Sequence, residues 1–334
     1  MNKKFTLCLT LVALLGFASC NTDRSRLHKM SLSIEVQRFD NDLFAITSEN
    51  FDEELPKVQE KYGDFFILFC ERVIEVGTPK TDATFKADLL QFLTDTIVQK
   101  AYQKTQEVFP DEAQLNSKLT NAFKRYKLAF PNDSTPKAYA FVSGFNTSII
   151  LAENIVAIGL DRFLGSDFDL YTTMGFYKYI AHSMTPEHIP SAVMHSIAQG
   201  FCPDASVDLL GKIIWEGKLL YFTKKMLPDE PDSLVFGFTP MQLKLCLTNE
   251  AFMWRYLVEN KLLFSNQSRV IREFTEEAPF TARFSQEAPG RSANFLGYRI
   301  VENYMRRHRN LSITDLLRNN NAPQILEQSQ YNPK

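Results

Sequence analysis

His195 and Gln199 stand four residues apart in the run I-P-S-A-V-M-H-S-I-A-Q-G-F, and Glu216 follows in V-D-L-L-G-K-I-I-W-E-G-K-L-L-Y-F. Residues at i and i+4 share one face of a helix. On a His-Glu-x-x-His helix this spacing presents two imidazoles to zinc, the glutamate is the general base, and a further ligand comes from the next helix. Here the frame reads H-S-I-A-Q, then W-E-G. Ser196 stands at the place of the base and Gln199 at the place of the second imidazole. Hydrolysis at such a site needs a group that takes the proton of the bound water. A serine beside His195 cannot do that at neutral pH. The motif keeps one histidine and one glutamate of a zinc-peptidase helix pair and lacks the rest.

One other ligand set bears on this site. His182 and His188 lie upstream and with Glu216 would supply three donors, the basis for an active zinc-dependent metallopeptidase with a non-standard ligand set. Pro186 and Pro190 interrupt any helix those histidines would share. Glu216, between Trp215 and Gly217 on a largely apolar helix, is expected to be partly buried, and a buried carboxylate needs a partner or a proton. His195 is one candidate partner. Arg291, in A-P-G-R, is the other, either in a residual ion pair or as a clamp for an anion. Asp161, in G-L-D-R-F-L-G, is read first as a loop cap and second as a site residue.

The elements that must position these residues follow from periodicity. Leu32 to Phe39 alternates and reads as a strand. Phe51 to Tyr62 and Asp82 to Tyr102 read as helices, with a dense apolar run at Phe65 to Phe69 between them. Pro110-Asp111-Glu112 opens another helix with the face Leu115, Leu119, Ala122 and Tyr126. Lys137 to Asp161 is β-branched and aromatic, with strands expected at Ala138 to Val142, Ser148 to Leu151 and Ile155 to Gly159. Phe168 to Met184 is aromatic-rich and suits a groove wall and a partly buried surface equally well. Thr239-Pro240 opens a long helix through about Leu262, and Ser312 caps a short one. The fold class is α+β and predominantly α-helical, with a small mixed sheet preceding a zincin-like helix pair. Residues 32–334 form one globular unit: a helical front half to about 136, a zincin-like core over 137–227 and a helical part over 228–334.

The N-terminus carries a separate signal. Lys3 and Lys4 precede an apolar stretch, Phe5 to Phe17, too short for a typical membrane span, and then Ala18-Ser19-Cys20. Small residues directly before a cysteine are similar to a bacterial lipoprotein signal, with 1–19 removed, Cys20 lipidated and 20–31 a tether. Several acyl chains on one residue anchor stably, at about 0.8 kcal/mol per buried methylene. That leaves Cys70, Cys202 and Cys246, an odd set with no close pair, which argues against a disulfide framework. A net charge of −2 gives nucleic acid no footprint, and no nucleotide or cofactor motif is present.

The lipoprotein start, G-L-D-R-F-L-G, W-E-G-K-L-L-Y-F, T-P-x-Q-L, N-E-A-F-M-W, A-P-G-R-S-A-N-F-L-G-Y-R-I-V-E-N-Y and the ending S-Q-Y-N-P occur in fixed order over nearly the whole chain. Together they resemble GldB, the gliding-motility lipoprotein family of Bacteroidota. The resemblance implies an outer-membrane lipoprotein facing the periplasm, anchored through its lipid, with envelope proteins of the motility or type IX secretion apparatus as partners and no small-molecule cofactor. The absence of an acidic run after Cys20 favours the periplasmic side. The family is also similar to predicted zinc peptidases with H-E-x-x-H, a downstream E-G and a C-terminal P-G-R motif. On that pattern His195 sits at the first histidine, Ser196 at the catalytic glutamate, Gln199 at the second histidine and Glu216 at the glutamate ligand. The implied role is a non-catalytic binding or scaffold protein on an inactivated peptidase-like fold.

Overall fold

Both faces of the central strands are apolar, as strands covered on two sides must be. In the computed structural model, which describes residues 26, 27, 29–79 and 82–334, they form one four-stranded sheet. The expected signal segment 1–19 and the expected lipidation site Cys20 lie outside the described residues. The strands are β1 (Val36–Arg38), β2 (Lys137–Phe141), β3 (Ile149–Ala152) and β4 (Ile155–Gly159), in the order β1-β2-β4-β3. β1 and β4 run parallel to β2, and β3 returns antiparallel on the outer side of β4. The β3–β4 turn is Glu153-Asn154, with Asn154 at φ 57°, a conformation that asparagine tolerates.

Side-chain alternation divides the packing. Ala138, Ala140, Val156 and Ile158 face a core shared with the helices Ala113–Ala129 and Ile189–Phe201. Tyr139, Phe141 and Ala157 face a second core built on Phe39, Phe65, Phe66 and Phe69. Phe65 stacks on Tyr139 at 4.8 Å, and Phe39 meets Phe65 edge-on at 5.0 Å. The third core lies between Leu209–Met226, Ser292–Arg307 and the C-terminal helices. The helix Leu209–Met226 belongs to two cores: Leu219, Phe222 and Met226 face the sheet side, and Leu209, Leu210 and Ile213 face the C-terminal side. It crosses Ser292–Arg307 at Gly217 and Gly297, where the two backbones come into direct contact.

The α+β architecture and the three central strands agree with the sequence reading. Three expected elements are corrected. The strand Leu32 to Phe39 shrinks to Val36–Arg38. Side chains of the neighbouring helix replace strand partners upstream, with Thr120 Oγ1 accepting from Ile34 N–H and Asn116 Oδ1 from Val36 N–H, both at 2.9 Å. The helix Asp82 to Tyr102 is two helices, Phe85–Thr94 and Thr96–Val108. Asp95 leaves the helical region between them and caps the second by accepting from Ile97 and Val98 N–H. The helix from Thr239 divides at Asn249 into Pro240–Thr248 and Glu250–Glu259. Its capping box, Thr239 with Gln242, and that of Ser312 with Asp315 are both formed.

Candidate functional site

The helix Ile189–Phe201 carries His195, and Leu209–Met226 carries Glu216. Asp208 caps the second helix by accepting from Gly211 N–H. Trp215 Nε1 donates to the Cys202 carbonyl at 2.6 Å, tying the end of the first helix to the middle of the second. This tie brings the neighbouring Glu216 under His195, with Nε2 to Oε2 at 3.4 Å and both side chains mostly shielded. Of the two candidate partners of Glu216, His195 is the one that lies beside it. Arg291 is not its partner. It pairs with Glu277 at 3.0 Å and donates from Nη2 to the Gly237 carbonyl at 3.0 Å. Gly237 is left-handed, and a Cβ there would meet Arg291 Nη2 at 2.5 Å, so the glycine admits the guanidinium as well as the turn.

His195 and Ser196 open onto a cavity of about 390 Å³, whose wall also includes Arg162, His188, Ser191 and Arg291. Gln199, expected on the same face, is exposed and does not line the cavity. His182 and His188 do not join Glu216. Both ring nitrogens of His182 lie 2.8 Å from carbonyl oxygens, those of Tyr179 and Gly237, and His188 Nδ1 meets Thr185 Oγ1 at 3.0 Å. Among the described residues no three His, Cys, Asp or Glu side chains gather as a metal-ligand group. His195 and Glu216 supply two donors where a zinc site needs at least three from the protein. The residues at this place do not fit a zinc ion.

Asp161 acts as a clamp on a loop. Its Oδ2 accepts from Ser143 N–H at 2.9 Å and from Phe145 N–H at 2.6 Å, holding Gly144 and Phe145 at positive φ beside the cavity. The aromatic segment divides: Tyr171 is buried and its hydroxyl donates to the Asp161 carbonyl at 3.0 Å, while Tyr177 is 66% exposed. Arg162, the residue after the clamp, was visible only as part of a turn motif.

Two buried groups on this side titrate in opposite senses. Burial pushes the Asp161 carboxyl up to about 6 from 3.8, so the folded state holds its proton more tightly. That contribution to stability is complete below about pH 4 and is lost as pH rises to 6. Burial pulls His188 down to about 4 from 6.5, so its contribution is complete above 6.5 and is lost as pH falls to 4. The two slopes oppose each other. Between pH 4 and 6.5 their contributions to urea unfolding therefore largely offset each other in the natural chain. In Asp161→Asn, which keeps an acceptor oxygen, stability is expected to rise with pH across that window by on the order of 2 kcal/mol relative to the natural chain. An unchanged profile in that variant would remove Asp161 as a titrating group.

Among the described residues no helix is long and apolar enough to cross a membrane. No curated protein and no solved structure matches the chain. The family described as gliding motility protein GldB matches residues 20–333, a span that includes the sheet, the His195–Glu216 pair and the Arg291 turn. The chain belongs to the GldB family of gliding-motility lipoproteins.

Proposed function

We propose that this lipoprotein is a non-catalytic component of the envelope machinery for gliding and type IX secretion, held at the outer membrane through Cys20 and facing the periplasm. Its zincin-like frame, with the zinc motif degenerate, binds an extended segment of a partner protein. Residues 32–334 act as one unit, an assignment supported by the helix that two cores share.

The observation that carries the binding role is the open edge of β3. No strand pairs with its outer side among the described residues. Gly159 N–H donates to the Ser148 carbonyl, which marks a hydrogen-bonded pair at that register. By the alternation of an antiparallel ladder, Ile149 and Leu151 turn their N–H and C=O groups outward. Leu151 is 39% exposed, and a second cavity of about 450 Å³ opens beside it between β3 and the end of the histidine helix. Ser148, at the other end of the strand, borders the His195 cavity. An added strand would therefore lie between two cavities, with main-chain bonds giving affinity and the cavities giving selectivity.

A photo-crosslinking residue at Leu151, introduced in living cells, is expected to capture one discrete envelope protein. Leu151→Pro, which removes an outward N–H, is expected to block that partner from a crosslinker placed in the neighbouring cavity. Capture that is equally strong from exposed Val258 on the far side would overturn the assignment. Zinc content after loading and desalting is expected near zero. One zinc per chain, lost in His195→Ala, would return the site to metalloenzyme chemistry.

A further inference from the structure

Arg38 shows how this chain grips a buried carboxylate. Its Nε and Nη2 meet the two oxygens of Asp40 at 2.8 and 2.7 Å, while Nη1 donates to the Phe109 carbonyl. Arg162 is held in the same manner with no carboxylate hydrogen-bonded to it, although the charge of the adjacent Asp161 lies close. Its Nη1 donates to the Phe145 carbonyl at 3.1 Å, and its guanidinium lies 4.2 Å from the centre of the Phe176 ring. Its buried Nε has no acceptor. Adjacent Asp161 directs Oδ2 to the loop amides, and its Oδ1 has no hydrogen-bond partner. Two contacts thus fix the plane of the Arg162 guanidinium, and the Nε–Nη2 edge that binds carboxylates side-on is left unfilled.

Arg162 lines the His195 cavity with two further residues that carry unpartnered buried polar atoms, His188 at Nε2 and Ser191 at Oγ. Buried polar groups are ordinarily satisfied, so three such atoms on residues of one wall, each just behind its present surface, point to a ligand that reaches them by parting the wall. Their chemistry limits what it is. Thr185 Oγ1 donates to Glu187 Oε2 at 2.6 Å, so it accepts from His188 Nδ1–H. In the neutral ring His188 Nε2 is then an acceptor that awaits an N–H. Arg291 adds a second guanidinium to the wall, already neutralised by Glu277. The wall offers donors for an anion and an acceptor for an amide.

From this juxtaposition we infer that the cavity takes a carboxylate of an extended peptide on the free edge of Arg162, with Ser191 donating to it and His188 accepting an N–H of the same peptide. The inference rests on the reading of β3 as a docking edge, since Ser148 brings that edge to the cavity. An inorganic phosphate would satisfy Arg162 and leave His188 without a donor.

The test uses the full chain in detergent and ligand-observed NMR with acetylated tetra-alanine, as the free acid and as the C-terminal amide. The free acid is expected to bind at least tenfold more tightly. Arg162→Gln should abolish the difference, and Arg283→Gln, at an exposed arginine paired with Glu273, should leave it intact. Arg162→Lys keeps the charge without the fork and is expected to recover only part of the preference; it also serves if the glutamine variant does not fold. An amidated peptide with an internal glutamate, against its glutamine counterpart, distinguishes a side-chain carboxylate from a chain terminus. Equal binding of acid and amide, together with equal binding of the glutamate and glutamine peptides, would overturn the carboxylate seat and leave the β3 groove standing. Binding of neither, or of phosphate in place of the peptides, would also overturn it, while crosslinking at Leu151 reports on the groove independently.

Discussion

Gly297→Ala is expected to cost more than about 4 kcal/mol, enough to remove most of the stability of an ordinary domain. A Cβ on Gly297 would sit 1.7 Å from the Ile213 carbonyl oxygen and 2.5 Å from its carbon. A Cβ on Gly217 would meet the Gly297 carbonyl carbon at 2.3 Å. These are backbone atoms of two packed helices, so no side chain can rotate aside, and relief requires the helices to separate. Separation opens the C-terminal core around Leu209, Ile213, Leu296 and Ile300, all fully buried. It also carries Glu216, the neighbour of Gly217, away from His195. Thermal unfolding checks the expectation against Gly200→Ala, a helical glycine with nothing within 4 Å of a new Cβ. That control is expected to gain roughly 0.5–1 kcal/mol from helix propensity. A Gly297→Ala chain that melts with the natural one would show that the crossing is looser than described.

Arg38→Met is expected to cost about 3–5 kcal/mol. Asp40 is fully buried, and Arg38 is its guanidinium partner on both oxygens. Removing the arginine leaves a carboxylate that must be protonated or drag water into the core around Phe39, which is why breaking a buried pair costs more than the pair itself contributes. Two further bonds disappear, to the Phe109 carbonyl and to Glu112, each at 3.0 Å. The double variant Arg38→Met with Asp40→Leu is expected to recover much of the loss, because an apolar pair of similar volume carries no stranded charge. Urea unfolding of the two singles and the double closes the cycle. A single variant within about 1 kcal/mol of the natural chain would show Asp40 to be satisfied by other groups.

The sheet was legible from its composition and the helix pair from its spacing. The β-branched and aromatic run Lys137 to Asp161 forms the expected strands, His195 keeps its place on a helix, and the Trp215-Glu216-Gly217 run places Glu216 beside it. What periodicity could not show was where chains are interrupted by polar caps. Asp95 and Asn249 sit inside apolar patterns that continue across them, so each pair of helices read as one. Long-range pairing was equally hidden. Arg291 was drawn toward Glu216 because both carry charge and flank motifs, yet the left-handed Gly237 turn and Glu277 claim it first. Arg162 was masked by its neighbour, since the turn motif directs attention to Asp161. Only the fold shows that the aspartate clamps a loop while the arginine faces a cavity.

The order of the sheet sets a path for mechanical load. The chain enters from its N-terminal side at β1, one edge of the sheet, and the open strand β3 is the opposite edge. Tension between a tether at the first edge and a partner held at the second would pass through every interstrand ladder in series, so the weakest ladder limits the force transmitted. β1 is only three residues long, but it is fastened by more than its ladder. Thr120 and Asn116 hold the amides of Ile34 and Val36, and Arg38 reaches both Asp40 and Glu112. Under such tension β1 would share its load with the helix Ala113–Ala129, and that helix is packed against the one that carries His195.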